Sequence, residues 1–438
     1  MRESSSSSPF SLDVLVLFLC VTAFVLLTAT GDLAFSEDIV NVILALTPER
    51  FVIIFLMAGI YWFVDWVAPG VGIGRQAKPV ILVTIILLVT MVPLTLAIGA
   101  RAGSEPHHLA HDGLIQSEEA TRFVLNGQNP YEQDYSQTPM ADWPFQVGDI
   151  TQNPALFHYP YLPMTFLLPL PFQWLGETLW GWFDHRLVYV ALFVGLMTLS
   201  ASLTNKHQDR LALLILLGVN PAFVLYFVEG RNDILPLFWL AATLYLLQRK
   251  HESCSAVTLA LGCMTKQFLW FFVPFYVLYV GGPGDWPARW QRIRRPLATL
   301  IVLGSIIALP WLLWSPQDFV EDTLLFQSGA AENGYPINGY GFSTLLLSTG
   351  VLDSHAAHFP FWIMQALVGI PLLVIMLRRQ WAKPDLRTMV QNYALWLACF
   401  SFFSRAFNDN YLGYLITVLA IGLLTMSSPL GFIEESDE

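Results

Sequence analysis

Apolar runs of about 17 to 21 residues recur along this chain, and they restrict its fold more than any other feature. A helix rises about 1.5 Å per residue, so such a run matches a bilayer core of about 30 Å. In lipid every backbone polar group needs an internal partner, so the runs are read as helices. Charged residues make up 13% of the sequence and hydrophobic ones 55%, where a soluble chain carries about 25% charge. The net charge of -11 argues against a nucleic-acid partner. Cys20, Cys254, Cys263 and Cys399 show neither a disulfide framework nor a metal-ligand spacing.

The runs at 11–30, 51–69 and 79–99 give the first three spans, the first read as an uncleaved anchor. Pro160, Pro163, Pro169 and Pro171 make a regular spanning helix unfavourable over 160–175. That stretch is expected to lie along the interface or re-enter. Further spans are expected at 187–203, 211–228, 234–248, 255–265, 268–281, 296–314, 360–377, 390–404 and 411–428. The total is about twelve, in one all-α transmembrane domain over 1–438 with both termini cytoplasmic. Most of the 22 Lys+Arg then fall on the inner side, as the positive-inside rule requires. The outer side carries a large loop region at 100–186, with short interfacial helices, and a second loop at 315–359. The short runs 255–265 and 268–281 form a hairpin whose tip holds Lys266.

The most polar long segment is HDGLIQSEEATRFVLNGQNPY, from His111 to Tyr131. A helix over 114–126 is expected to stop at Gly127, with Pro130 blocking continuation. Asp112 has two readings: a helix cap, or a functional carboxylate. Glu118 and Glu119 are the other acids here. Further polar patches on the same side are Glu229 to Asp233, with Arg231, the hairpin tip, 315–342, and Ser404 to Tyr411, with Arg405. Each alone reads as a solvated loop, but their common side favours a site.

These motifs, in this order, resemble the GT-C class of integral-membrane glycosyltransferases that use polyprenyl-phosphate-linked sugars, especially its mannosyltransferase branch. The resemblance rests on Asp112 opening the first large outer loop and on Gly127-Gln128-Asn129-Pro130-Tyr131. It also rests on His158-Tyr159-Pro160-Tyr161-Leu162-Pro163, Gly230-Arg231-Asn232-Asp233, Thr265-Lys266-Gln267 and Arg405 with Asn410-Tyr411. Two spans precede the span that leads into the large loop, where the family usually has one. The resemblance implies inverting transfer of a hexose such as mannose to a lipid, glycan or protein acceptor on the outer face of the cell membrane. Asp112 is implied as base, with Glu118 and Glu119 as fallbacks. Lys266, Arg231, Asp233, Arg405, Tyr131, Tyr159, Asn410 and Tyr411 are implied around the donor. No cofactor is identified; a divalent metal is possible but not indicated, since His111 and His158 lack a ligand spacing. The rival readings are a secondary transporter, which would show repeats and midplane charges, and a non-enzymatic lipid-binding protein. Asp65, near the end of the second run, is read as reaching the interface.

Overall fold

The computed structural model describes residues 11–30, 48–68 and 72–425. The expected polar tail, the segment 31–47 and the C-terminal tail lie outside the described residues. Polar side chains cap some helix starts, as at Asn220, Asp285 and Asp385, and glycines follow some helix ends, as at Gly181 and Gly282. α1 (Leu12–Thr30), α2 (Pro48–Val67) and α3 (Ile73–Ile86) come first. A π-helical turn, Leu87–Met91, carries α3 into α4 (Val92–Arg101), giving an apolar rod, Gln76–Arg101, of 26 residues. The widened turn lies just before Pro93, whose nitrogen has no proton to donate. α5 (Asp112–Leu125) opens the polar region, followed by 3-10 turns and two short helices, α6 (Met164–Leu167) and α7 (Leu170–Trp180).

α8 (Arg186–Ala201), α9 (His207–Gly218) and α10 (Pro221–Val228) follow, the last two bent by 43°. Asn220 caps the new helix by accepting from the Ala222 N–H, and Pro221 fills a first-turn position where no donor is needed. α11 (Ile234–Gln248) and α12 (Glu252–Cys263) lead to a 3-10 turn, Gln267–Phe272, and α13 (Val273–Gly281). α14 (Trp286–Trp314), α15 (Pro316–Val320), α16 (Phe326–Ser328) and α17 (Phe342–Ser348) precede α18 (Phe361–Ala382), α19 (Leu386–Phe402) and α20 (Asp409–Leu424). One departure from all-α is a two-residue parallel pairing, β1 (Asn338–Gly339) with β2 (Ala406–Phe407). It fastens the last polar loop to the one before it.

Among the described residues three helices are long and apolar enough to cross a membrane alone: Gln76–Arg101, Trp286–Trp314 and Phe361–Ala382. The bent pair α9–α10 adds a fourth if it is one span. Arg186–Ala201, Ile234–Gln248, Gln267–Gly281 and Asp409–Leu424 are among the shorter apolar helices. The expectation of about twelve spans thus meets three full-length helices and a set of short or broken ones. Together they support a membrane protein. Two boundaries differ from expectation. α14 begins ten residues earlier than 296, so Arg289, Arg292, Arg294 and Arg295 lie on a helix rather than in a loop. Asp285 starts it by accepting from the Ala288 N–H. α18 likewise runs past Arg378 and Arg379.

Asp65 does not simply reach the interface. It pairs with Lys78 at 2.6 Å and accepts from the Ser11 hydroxyl, while Lys78 also pairs with Asp13 and Tyr61 donates to Asp13. Lys78 is buried, not a loop charge. The cluster joins one end of α1, α2 and α3. Close packing is also backbone-limited: a Cβ on Gly413 of α20 would lie 1.8 Å from the Ala222 carbonyl oxygen of α10.

Candidate active site

Asp112 is the first residue of α5, not its cap. His111 takes the cap position, with its Nδ1 3.1 Å from the Gly113 nitrogen. The His111 backbone N–H donates to the Glu229 carbonyl at 2.9 Å, so the start of α5 is fixed to the α10–α11 loop. Trp143 packs edge-on to His111 and donates to the Ala110 carbonyl. The Asp112 carboxylate accepts from the Gly113 N–H at 2.6 Å and from Asn153 Nδ2 at 2.8 Å, and lies 2.8 Å from His111 Nδ1. Asn153 is itself held, accepting from the Ala155 N–H. Gln116 on α5 donates to the Ala155 and His158 carbonyls, which keeps the 153–158 strand of chain against the helix.

Burial would raise the Asp112 pKa. The His111 interaction, the Asn153 hydrogen bond and the nearby Arg231 charge outweigh it and hold the carboxyl at about 2. Asp112 is therefore ionised throughout the neutral range. The partial positive charge at the helix start acts in the same direction.

Arg231 links this carboxylate to a second group. It pairs with Glu229 through Nε at 2.8 Å and donates through Nη1 to Asn410 Oδ1 at 3.0 Å. Asn410 donates to Asp233, and Asp233 pairs with Lys266. Lys266 also donates to Asn232 Oδ1 and lies over the rings of Phe268 and Tyr411, 4.9 and 5.1 Å from their centres. Its position follows from a chain reversal. Lys266 is extended between α12 and the 3-10 turn, and the Thr265 and Met264 carbonyls accept from the N–H groups of Leu162 and Met164. The Tyr159–Pro163 segment is thus stitched to the hairpin tip.

That stitching selects one tyrosine. A Cβ on Gly113 would lie 2.3 Å from the Tyr161 hydroxyl, so a side chain there would push this ring away from Asp112. Burial and the Asp112 charge push the Tyr161 phenol well above its ordinary value, so it stays protonated as a donor. Tyr159, the tyrosine expected at the donor, is fully buried with its hydroxyl on Thr165. Tyr131 donates to the Tyr161 carbonyl and supports it from behind. Sequence reading named Tyr161 only within its motif and weighed His111 only as a metal ligand, and it passed over Asn153 and Tyr335, whose phenol lies in the field of Asp112 and accepts from Asn408. The available signal was the two-residue alternation of an extended segment, which puts Tyr159 and Tyr161 on one face only if the strand is regular. The prolines at 160 and 163 break that regularity.

Other expected residues stand elsewhere. Glu118 receives both outer nitrogens of Arg101, and the His185 N–H. Arg101 also pairs with Asp184, which pairs with Arg186. Glu118 is thus the buried counter-ion that ties α5 to α4 and α8. Glu119 pairs with Arg122, which also meets Glu177 of α7; burial raises its pKa against the Arg122 attraction. Arg405 gives its guanidinium to the carbonyls of Tyr335, His355, Ala356 and Ala357. It organises the two last polar loops and does not join the Asp112 network. Among the described residues no group of three or more His, Cys, Asp or Glu is placed to hold a metal ion.

No curated protein and no solved structure matches the chain. Residues 119–282, less than half of it, match the family model described as alpha-(1->6)-mannopyranosyltransferase, N-terminal domain. The matched stretch includes Tyr131, Tyr161, Arg231, Asp233 and Lys266, and stops short of Asp112, Arg405 and Asn410. This similarity supports a mannosyltransferase family and, with it, glycosyl transfer of mannose by a membrane protein.

Proposed function

We propose that the chain transfers mannose from a polyprenyl-phosphate-linked donor to a hydroxyl of a lipid, glycan or protein acceptor, in the manner of the GT-C class. The reaction takes place on the outer face, at Asp112, with inversion. The observation that carries this reading is a single ionised carboxylate, fixed by Asn153, His111 and the start of α5, beside an arginine with spare donors. In the reaction Asp112 takes the acceptor proton as the acceptor oxygen bonds to the sugar C1. The bond from C1 to the phosphate oxygen breaks, and polyprenyl phosphate leaves with the electron pair. One displacement inverts C1. A carboxylate of pKa about 2 is a weak base, but the acceptor hydroxyl becomes strongly acidic as its oxygen bonds to an electron-poor C1. What is required is a base that is always ionised and in place. Nη2 of Arg231 has no protein partner among the described residues, so it is the cation most open to the departing phosphate. Lys266 supports it through Asp233 and Asn410.

The test is transfer from radiolabelled polyprenyl-phosphate mannose by the full chain in membranes. Asp112→Asn is expected to fold, to bind donor, and to lose about 10²–10⁴-fold in turnover. With wild type, Asp112 should produce no acid limb in the rate anywhere near neutral pH. Near-normal turnover in a well-folded Asp112→Asn protein would remove Asp112 from the reaction. A transporter is less well supported, because Asp13, Asp65 and Lys78 pair with one another at one end of three helices rather than near a midplane.

A further inference from the structure

At the start of α14 and the end of α18, two arginines and three tryptophans come together away from Asp112. The turn Gly281-Gly282-Pro283-Gly284 leads into α14, with φ of 60° at Gly282 and 118° at Gly284, values suited to glycine. Its carbonyls take the inner edges of both arginines. Gly284 accepts from Arg289 Nε at 2.8 Å, Gly281 accepts from Arg292 Nε at 2.7 Å, and Pro283 accepts from Arg292 Nη2. The Arg289 guanidinium stacks on Trp381, 3.6 Å from the ring centre.

Arg289 is only 5% exposed, yet it makes no salt bridge among the described residues, and its Nη1 is buried without a partner. A buried arginine ordinarily has a carboxylate, since an unpaired buried charge is strongly unfavourable. Asp285, the nearest acid in sequence, is occupied in capping α14. Arg292 adds a like charge, and the acid it acts on is Glu252. One positive charge and an outer guanidinium edge are left over. Trp286 and Trp290 stack on each other at 6.2 Å and are exposed, as is Trp381. Exposed tryptophans beside arginine are typical of a membrane–water boundary.

The level of the cluster follows from α14 itself. Trp311 packs on Phe166, which packs on Tyr131 and Tyr159 below the Asp112 site. From Arg289 to Trp311 the helix rises roughly 33 Å at 1.5 Å per residue, about one hydrocarbon thickness. The cluster therefore sits in the headgroup layer opposite Asp112.

We propose that Arg289, with Arg292 and Trp381, binds the phosphate of an anionic phospholipid in that leaflet. Arg289 is the charge-assisted donor to the phosphate, and the tryptophans lie against the glycerol and upper acyl chains. The ligand is a lipid rather than free phosphate because the rim beside the arginines is apolar and exposed.

The test uses the full chain purified in detergent. Phosphatidylglycerol, phosphatidylcholine and inorganic phosphate are compared by native mass spectrometry and thermal unfolding. Phosphatidylglycerol should be retained and raise the unfolding temperature; phosphatidylcholine and phosphate should do neither. Arg289→Gln should lower phosphatidylglycerol retention about tenfold, the loss of one charge-assisted pair, without lowering the lipid-free unfolding temperature. If that variant does not fold, Arg289→Lys replaces it: it keeps the charge but loses the fork and the stack, and retention should again fall several-fold. Equal retention in whichever variant folds, or equal retention of phosphatidylcholine, would overturn the site. A full shift from phosphate alone would overturn the lipid assignment.

Discussion

At the residue scale the candidate site is a chain of alternating charges, Asp112, Arg231, Asp233 and Lys266, joined by Asn410. Its members hold one another as well as any substrate. Lys266 and Asp233 are both nearly buried, with side-chain exposures of 9% and 5%. Lys266→Ala would leave Asp233 buried and unpaired, a loss of about 3–5 kcal/mol. The single variant should therefore unfold at a clearly lower temperature. Asp233→Asn/Lys266→Met, which removes both charges, should recover most of that loss. Donor affinity measured in the double variant isolates the phosphate role from the structural one. Affinity equal to wild type there would make Lys266 purely structural, and a single variant as stable as wild type would show that the pair does not hold the fold.

At the scale of elements, the α15–α16 segment is latched to the 153–161 segment by one histidine. His158 has Nδ1 2.8 Å from Asp322 Oδ1 and Nε2 against the Glu332 carbonyl, while Asp322 also accepts from the Tyr159 N–H. With an acceptor at each ring nitrogen, the doubly protonated ring is favoured. Burial lowers the His158 pKa, but the Asp322 and Glu332 hydrogen bonds and the nearby Glu321 charge raise it overall. Burial raises Asp322, which His158 and the Tyr159 N–H oppose, with Asp318 adding to the rise. For a histidine whose folded pKa is raised, the stabilisation is full below the unfolded value of about 6.5 and is lost as pH rises through the folded pKa. Amide exchange over 316–335 should thus accelerate, beyond the intrinsic chemical rate, on going from mildly acidic to alkaline pH. His158→Gln should exchange quickly throughout and lose that dependence. Protection that is independent of pH in wild type would exclude the latch.

At the scale of the whole molecule, two rods measure the same thickness. Lys78 and Arg101 stand at opposite ends of α3–α4, roughly 35 Å apart at 1.5 Å per residue, much as Arg289 and Trp311 do on α14. We propose that the Asp13–Lys78–Asp65 cluster and Arg289 lie at one membrane face and Asp112 at the other. α7 belongs with Asp112. Its Gln173 donates to the Glu118 carbonyl, while Trp174 and Trp180 are exposed, as in a helix lying in an interface. In a background without native cysteines, Trp180→Cys should label from outside intact cells and Gln208→Cys should not. Labelling of position 208 from outside would reverse the assignment of faces.

The sequence by itself determined where the helices lie and which stretches carry the chemistry. Apolar runs, prolines and terminal glycines act locally, so Gly127 ends α5 at φ 72° and the hairpin tip falls at Lys266, as their neighbours in the chain dictate. Tertiary structure alone decided which polar groups pair, because those pairs join residues far apart in sequence. It gave Asp112 its orienting Asn153, placed Tyr161 rather than Tyr159 beside it, and committed Glu118 to Arg101 and Arg405 to backbone carbonyls. It also left Arg289 without a carboxylate. A side chain's chemistry is written in its residue type. Whether that chemistry serves as a base, a counter-ion or a strut depends on what packing brings within about 3 Å of it.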